Sequence, residues 1–196
     1  MTKVLLDLSV SLDGYAAGPD ASPEAPMGRG GEALHEWMFA GRSAAEARSF
    51  MTEQFAGVGA VISGRRTADL GIGPWGEEPV FHAPVFVVTT RPAETIVKEG
   101  GTSYVFVTEG IEETLARARD AAGSHDIRIN GGVDSARQFL YAGAVQELRL
   151  HLVPVVLGGG ERLFDGGLPP GIHLQPREVT STPLATHLTY EVTMPA

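Results

Sequence analysis

Short apolar runs alternate with helically spaced segments through the first three quarters of this chain, and that alternation constrains the fold more than any other feature. Gly59–Ser63, the run from Pro84 to Thr90, Tyr104–Val107 and Asp126–Asn130 have the length and composition of strands. Helical patterns stand between or after them: Ile111, Leu115 and Ala118 within Ile111–Ala122, and Ala136, Phe139 and Leu140 behind Gly131-Gly132. Strands joined through helices pair in parallel and need both faces of the sheet covered. The first strand, Lys3–Leu12, sets Val4, Leu6, Leu8, Val10 and Leu12 on one face and Asp7, Ser9 and Ser11 on the other. Ser43–Phe55 reads as a further helix through Ala47, Phe50, Met51 and Phe55. The end of the chain is strand-rich: Gln146–Leu157 is long and apolar, and Thr186–Met194 is expected to pair with Leu174–Ser181. The fold class that follows is α/β, a three-layer domain with a mostly parallel sheet and antiparallel C-terminal strands. No composition shift divides it, so one domain over residues 1–196 is expected.

The chemistry open to the chain is narrowed by what it lacks. It has no cysteine, which excludes a disulfide scaffold, thiolate metal sites and cysteine nucleophiles. His35, His82, His125, His151, His173 and His187 form no metal-spaced pair, so no metal is expected, and each reads as a surface or packing residue. The net charge of −9 disfavours nucleic acid and anionic membranes as partners, although a local basic site can hold one phosphate. The apolar run Leu152–Leu157 is far short of the ~18 residues that span a bilayer. Asp7 interrupts the N-terminal apolar run and no cleavage site follows, so a soluble, cytoplasmic protein is expected. No nucleophile elbow or Walker loop is present; Leu157-Gly158-Gly159-Gly160-Glu161-Arg162 lacks the lysine.

Three strand ends suit a phosphate-rich ligand. Gly64-Arg65-Arg66-Thr67 follows a buried strand and opens a helix, where positive side chains are unfavourable unless an anion lies nearby. Asn130-Gly131-Gly132-Val133-Asp134-Ser135 has the strand, glycine pair and helix order of a diphosphate nest, without the third glycine of the dinucleotide fingerprint. In the plainer reading Asp134 and Ser135 cap that helix. Thr89-Thr90-Arg91 closes a third strand at the carboxyl edge, where α/β sheets place ligands. The Gly- and Pro-rich stretch Asp13–Gly31 is long enough for a functional loop, and Trp37 and Trp75 are available to cover a planar ligand.

In order and spacing these pieces resemble the dihydrofolate reductase-like superfamily, in its branch of riboflavin-pathway pyrimidine reductases. The resemblance is carried by Ser9-Val10-Ser11-Leu12-Asp13-Gly14-Tyr15-Ala16-Ala17, Gly64-Arg65-Arg66-Thr67 and the stretch from Pro84 to Pro92. It continues through Asn130-Gly131-Gly132 to Leu140 and from His151 to Phe164, and so runs almost end to end. It implies NADPH as cofactor and hydride transfer as the chemistry. Carried over by motif, Arg65, Arg66 and Thr67, with Gly64 before them, would hold the 2′-phosphate and diphosphate. Thr89, Thr90 and Arg91 would flank the adenosine end. Gly131, Gly132, Val133, Asp134 and Ser135 would cradle the diphosphate, and Ser9, Val10, Ala16 and Ala17 would meet the nicotinamide.

The Trp-x-Leu-Pro-x-Asp/Glu stretch of true dihydrofolate reductases has no match around Glu32–Phe39, which argues against folate reduction. The expected substrate is a small heterocycle, most simply the aminopyrimidine 5-amino-6-(5-phosphoribosylamino)uracil. A folate or pterin reductase and a non-catalytic NADPH-binding protein are the alternatives. The candidate catalytic residues are Asp7, a carboxylate on an otherwise apolar strand, and Asp13 at the mouth of the loop. Asp7 either lines the substrate cavity or faces water or a basic partner. Relatives of this branch pair through C-terminal strands, and an uncovered Gln146–Leu157 would be an aggregation hazard, so a homodimer is expected.

Overall fold

The computed structural model describes residues 2–165 and 169–194. Eleven strands and five α-helices follow in the order β1 (Val4–Ser11), β2 (Tyr15–Ala17), α1 (Glu36–Phe39), α2 (Ala44–Glu53), β3 (Val58–Gly64), α3 (Arg65–Gly71), β4 (Pro84–Val88), β5 (Ile96–Val97), β6 (Ser103–Val107), α4 (Ile111–Ala122), β7 (Asp126–Ile129), α5 (Val133–Tyr141), β8 (Glu147–Val153), β9 (Glu161–Arg162), β10 (His173–Ser181) and β11 (Thr186–Thr193). Nine of the strands form one sheet in the order β10-β11-β8-β1-β7-β3-β4-β6-β5, and β2 and β9 form a small second sheet. The centre, from β8 through β6, is parallel, while β11 runs antiparallel to β8 and β10 antiparallel to β11.

The first face of the sheet is apolar because β1 alternates. Val4, Leu6 and Val10 join Ile62, Ile127 and Ile129 beneath Leu115 and Ala118 of α4 and Phe139 and Leu140 of α5. Each large side chain buried here contributes about 1.5–3 kcal/mol. The second face has two separate apolar clusters. One gathers Phe55, Val61, Val85 and Tyr104, and the other Leu34, Val153 and Ala185 with Trp37 packed against it. Asp7, Arg128 and His151 come from strands on this same face.

Three expectations are corrected. Leu12 falls past the end of β1 and is exposed, because the strand closes at Ser11. The long strand ends at Val153, just before Pro154, whose nitrogen has no hydrogen for the ladder. Nor is β8 an edge: β1 covers one side and β11 the other, and the edge strands are β10 and β5. The loop after β1 also contains the short strand β2 and ends in a 3-10 turn, Gly31–His35.

Candidate functional site

The carboxyl ends of β3 and β7 meet. The Gly64 N–H donates to the Gly131 carbonyl at 2.7 Å. A Cβ on Gly64 would stand 2.6 Å from Ser135 Oγ, and one on Gly132 would stand 2.8 Å from Thr67 Oγ1. Only glycine lets the two loops pack this closely, and Gly131 has a φ of +113°, which favours glycine as well. Gly64 and Gly132 are also the N-caps of α3 and α5, and neither helix has a side-chain cap. Asp134 and Ser135 therefore do not cap α5; Asp134 lies 3.6 Å from Arg137 instead. The first-turn N–H groups of two helices, with the Thr67 and Ser135 hydroxyls beside them, form a donor set that fits an anionic diphosphate.

Beside this cradle Arg65 and Arg91 share one carboxylate. Arg65 Nε donates to Asp69 Oδ1 at 2.7 Å and Arg91 Nη2 to Asp69 Oδ2 at 2.9 Å. Arg65 also donates to the Arg91 carbonyl at 3.0 Å and lies 4.9 Å over the ring of Phe106. Thr89 Oγ1 accepts the Arg91 N–H at 3.0 Å, and Thr90 is exposed beside it. Arg66 points elsewhere: it pairs with Glu161 at 2.6 Å and donates to the Ala21 carbonyl at 3.2 Å. The structure thus gathers Arg65, Thr89 and Arg91 and ties Arg66 to the loop after β1 and to β9.

At the far end of β1, Val10 and Ala16 are buried in the main core, and Ala17 pairs with Glu161 across β2 and β9. Ser9 Oγ accepts the indole N–H of Trp37 at 3.1 Å. Asp13 accepts from the Ser11 hydroxyl at 2.6 Å and from the N–H groups of Leu157 and Gly158 at 3.1 and 2.7 Å. The Ser11 bond, helped by the two backbone donors, holds its carboxyl at about 2. Both oxygens of Asp13 are engaged in joining two loops, which leaves it poorly placed to deliver a proton.

Asp7 is buried, its side chain 5% exposed, and lies 3.2 Å from Arg128 Nη2 and 3.0 Å from His151 Nε2. Burial alone would raise the Asp7 carboxyl, but Arg128, the hydrogen bond with His151 and Arg149 outweigh it and hold the group below its ordinary value. His151 Nδ1 in turn faces His187 Nδ1 at 2.7 Å. Trp37 packs on both rings, with centroids 4.4 and 4.8 Å away. Beyond Trp37 lies a cavity of about 360 Å³ lined by Trp37, Ala40, Arg42, Phe50, Leu184 and His187, among others. Asp7 is not among its lining residues and is connected to it through His151 and His187. A second cavity, of about 610 Å³, opens between Pro19–Gly30 and Val156–Gly159. Sequence reasoning passed over His151 and His187; the available signal was a histidine on each of two neighbouring strands.

The sheet has a dihydrofolate reductase-like fold. The profile of the RibD C-terminal domain family matches residues 2–188, and the chain belongs to that family of reductases. It is 26% identical over 176 residues to the uncharacterized protein YyaP of Bacillus subtilis strain 168, covering 83% of this chain and 80% of that one. Among solved structures it resembles a Shewanella sp. PV-4 protein named for riboflavin biosynthesis, with a TM-score of 0.70, 23% identity and 98% and 99% of the two chains covered. It also resembles Enterococcus faecalis dihydrofolate reductase solved with NADP(H), with a TM-score of 0.57, 16% identity and 97% and 96% coverage. Among the described residues no helix is long and apolar enough to cross a membrane, and no group of three or more His, Asp or Glu side chains is arranged to hold a metal.

Proposed function

We propose that this chain is a cytoplasmic, NADPH-dependent reductase of a small heterocycle, of the riboflavin-pathway aminopyrimidine type, working as a homodimer. The observation that carries the reading is the junction of Gly64 with Gly131-Gly132, where two uncapped helix starts stand beside the Arg65–Arg91 pair. The α3 and α5 N-termini, with Thr67 and Ser135, would bind the diphosphate, and Arg65 and Arg91 the 2′-phosphate. NADPH, when bound, supplies the hydride. Ser9, Val10, Ala16 and Ala17 border the nicotinamide end in this reading. Asp7 keeps a fixed negative charge beneath Trp37 and orients His151, so its role in the reaction is positioning. Mixing the protein with NADPH and 5-amino-6-(5-phosphoribosylamino)uracil should oxidise the cofactor and yield the ribitylamino product. NADPH binding without oxidation would leave only a nucleotide-binding protein, and oxidation with dihydrofolate in its place would reassign the substrate.

A further inference from the structure

We propose that His187, backed by His151 and Asp7, is the acid that protonates the substrate in this reduction. The inference rests on the reductase reading above and assigns that site a proton donor.

The hydrogen bonds determine the arrangement. Asp7 is a carboxylate and only accepts, so His151 Nε2 carries the hydrogen between them, at 3.0 Å. His151 Nδ1 and His187 Nδ1 are 2.7 Å apart, so one hydrogen must lie between two nitrogens. Two lone pairs or two N–H groups would repel there. The rings therefore behave as one unit that takes up one extra proton. His187 Nε2 remains as the outer atom of the unit, and His187 lines the 360 Å³ cavity beside Trp37.

The acid form gives up that proton without turning either ring. His187 Nε2 releases its hydrogen to the substrate while the shared hydrogen moves from His151 Nδ1 to His187 Nδ1. Both rings end neutral, and His151 keeps its Nε2–H on Asp7. In the same event the electrophilic carbon of a C=N or C=O group accepts a hydride from a dihydronicotinamide dinucleotide, and its nitrogen or oxygen takes the proton. The substrate gains two electrons and two hydrogens, and the nicotinamide is oxidised. Solvent entering the cavity reloads His187 at the same nitrogen.

The sheet register gives the necessary reach. Ser9, His151 and His187 are direct partners across β1, β8 and β11, so Ser9 and His187 lie about 10 Å apart, two strand spacings. Trp37 is common ground: it touches Ser9 and both histidines, and it forms a wall of the cavity. In this proposal the reducible C=N or C=O group sits at the edge of Trp37, between the two ends of that row. The titratable and charged groups facing the pair are Asp7 with Arg128 behind it, Arg149 on β8, His35 from the 3-10 turn and Arg42 across the cavity. Burial and the charge of His151 hold His187 below the ordinary histidine value, against an opposing pull from Asp7.

The test uses the whole protein, NADPH and 5-amino-6-(5-phosphoribosylamino)uracil in single-turnover reduction across pH. The wild-type rate should fall tenfold per unit as pH rises above the pair's pKa. His187→Gln should lose about 100-fold or more in rate and lose that limb of the profile, with NADPH affinity unchanged. Added imidazole should restore part of the rate of His187→Ala. An unaltered rate and pH profile in His187→Gln would overturn the proposal. If the wild type binds NADPH but leaves this aminopyrimidine unreduced, the substrate assignment fails and nitrogen NMR of labelled histidines decides the proposal. His151 and His187 changing together with the uptake of one proton would uphold the pair as the acid, and two independent titrations would refute it. The Nδ1 signals of a folded His151→Gln protein, where His187 stands alone, provide the control.

Discussion

Single residues here are tuned by their surroundings, His35 by burial and Asp13 by hydrogen bonds. His35 shows it most simply: burial, opposed by a backbone hydrogen bond at Gly31 and joined by the charge of His151, lowers it to about 4. Above the unfolded value of 6.5 both states are neutral and His35 makes stability no function of pH. As pH falls from 6.5 towards 4 the unfolded chain takes up a proton that the folded chain refuses, so stability is lost across that window, by at most about 3 kcal/mol. His35→Gln should flatten this part of the stability profile, as followed by urea unfolding at a series of pH values. An unchanged slope would mean that His35 takes up its proton equally in the folded and unfolded chain. Asp13 acts in a lower range. Its depressed carboxyl stabilises the fold above the ordinary value of 3.8, and that contribution disappears as pH falls through about 2. Asp13→Asn should therefore be less stable than the wild type at neutral pH, and the gap between them should close in strong acid.

At the scale of elements, the packing of one loop on another governs the cradle. Gly64→Ala would press a methyl against Ser135 Oγ, 2.6 Å away, and the Gly132 nitrogen, 3.1 Å away. It should lower stability by about 1–3 kcal/mol and weaken NADPH, with circular dichroism of the fold retained. Wild-type affinity in that variant would show that the loops part without consequence for the ligand. These elements were largely legible in the sequence. Alternation in β1 and the 3.6-residue spacing of α4 and α5 are strong local signals, and Gly, Arg and Thr mark the strand ends that form the cradle. Glu36–Phe39 and the two-residue strands were not legible, because they are too short to show a period. The His151–His187 contact was hidden for another reason. It joins residues 36 apart across neighbouring strands, and such pairing is set by sheet order and not by local pattern. The same blindness made Gln146–Leu157 look like an edge.

For the whole molecule, an acidic chain presents a cationic pair where one anion belongs. Its net charge is −9, yet Arg65 and Arg91 converge on a single carboxylate, so the local balance is +1 before any ligand arrives. One edge of the sheet is bare: β10 is exposed along most of its length, with Val179 at 63%. That edge is the surface on which we expect a second copy to pair. Light scattering at micromolar concentration should report twice the chain mass, and Val179→Lys should shift it towards the monomer; a monomeric wild type would remove the dimer from the account. The central claim concerns the cradle at the carboxyl ends of β3 and β7, in the middle of the sheet, and calorimetric titration of NADPH and NADH tests it most directly. The wild type should bind NADPH more tightly than NADH. Arg65→Ala and Arg91→Ala should each lose roughly 10–100-fold for NADPH and little for NADH, the weight of one charge-assisted hydrogen bond. Arg66→Ala, whose side chain faces Glu161, should change the preference least. Equal losses for both cofactors, or no binding of either to the wild type, would contradict the assignment of this cradle to NADPH.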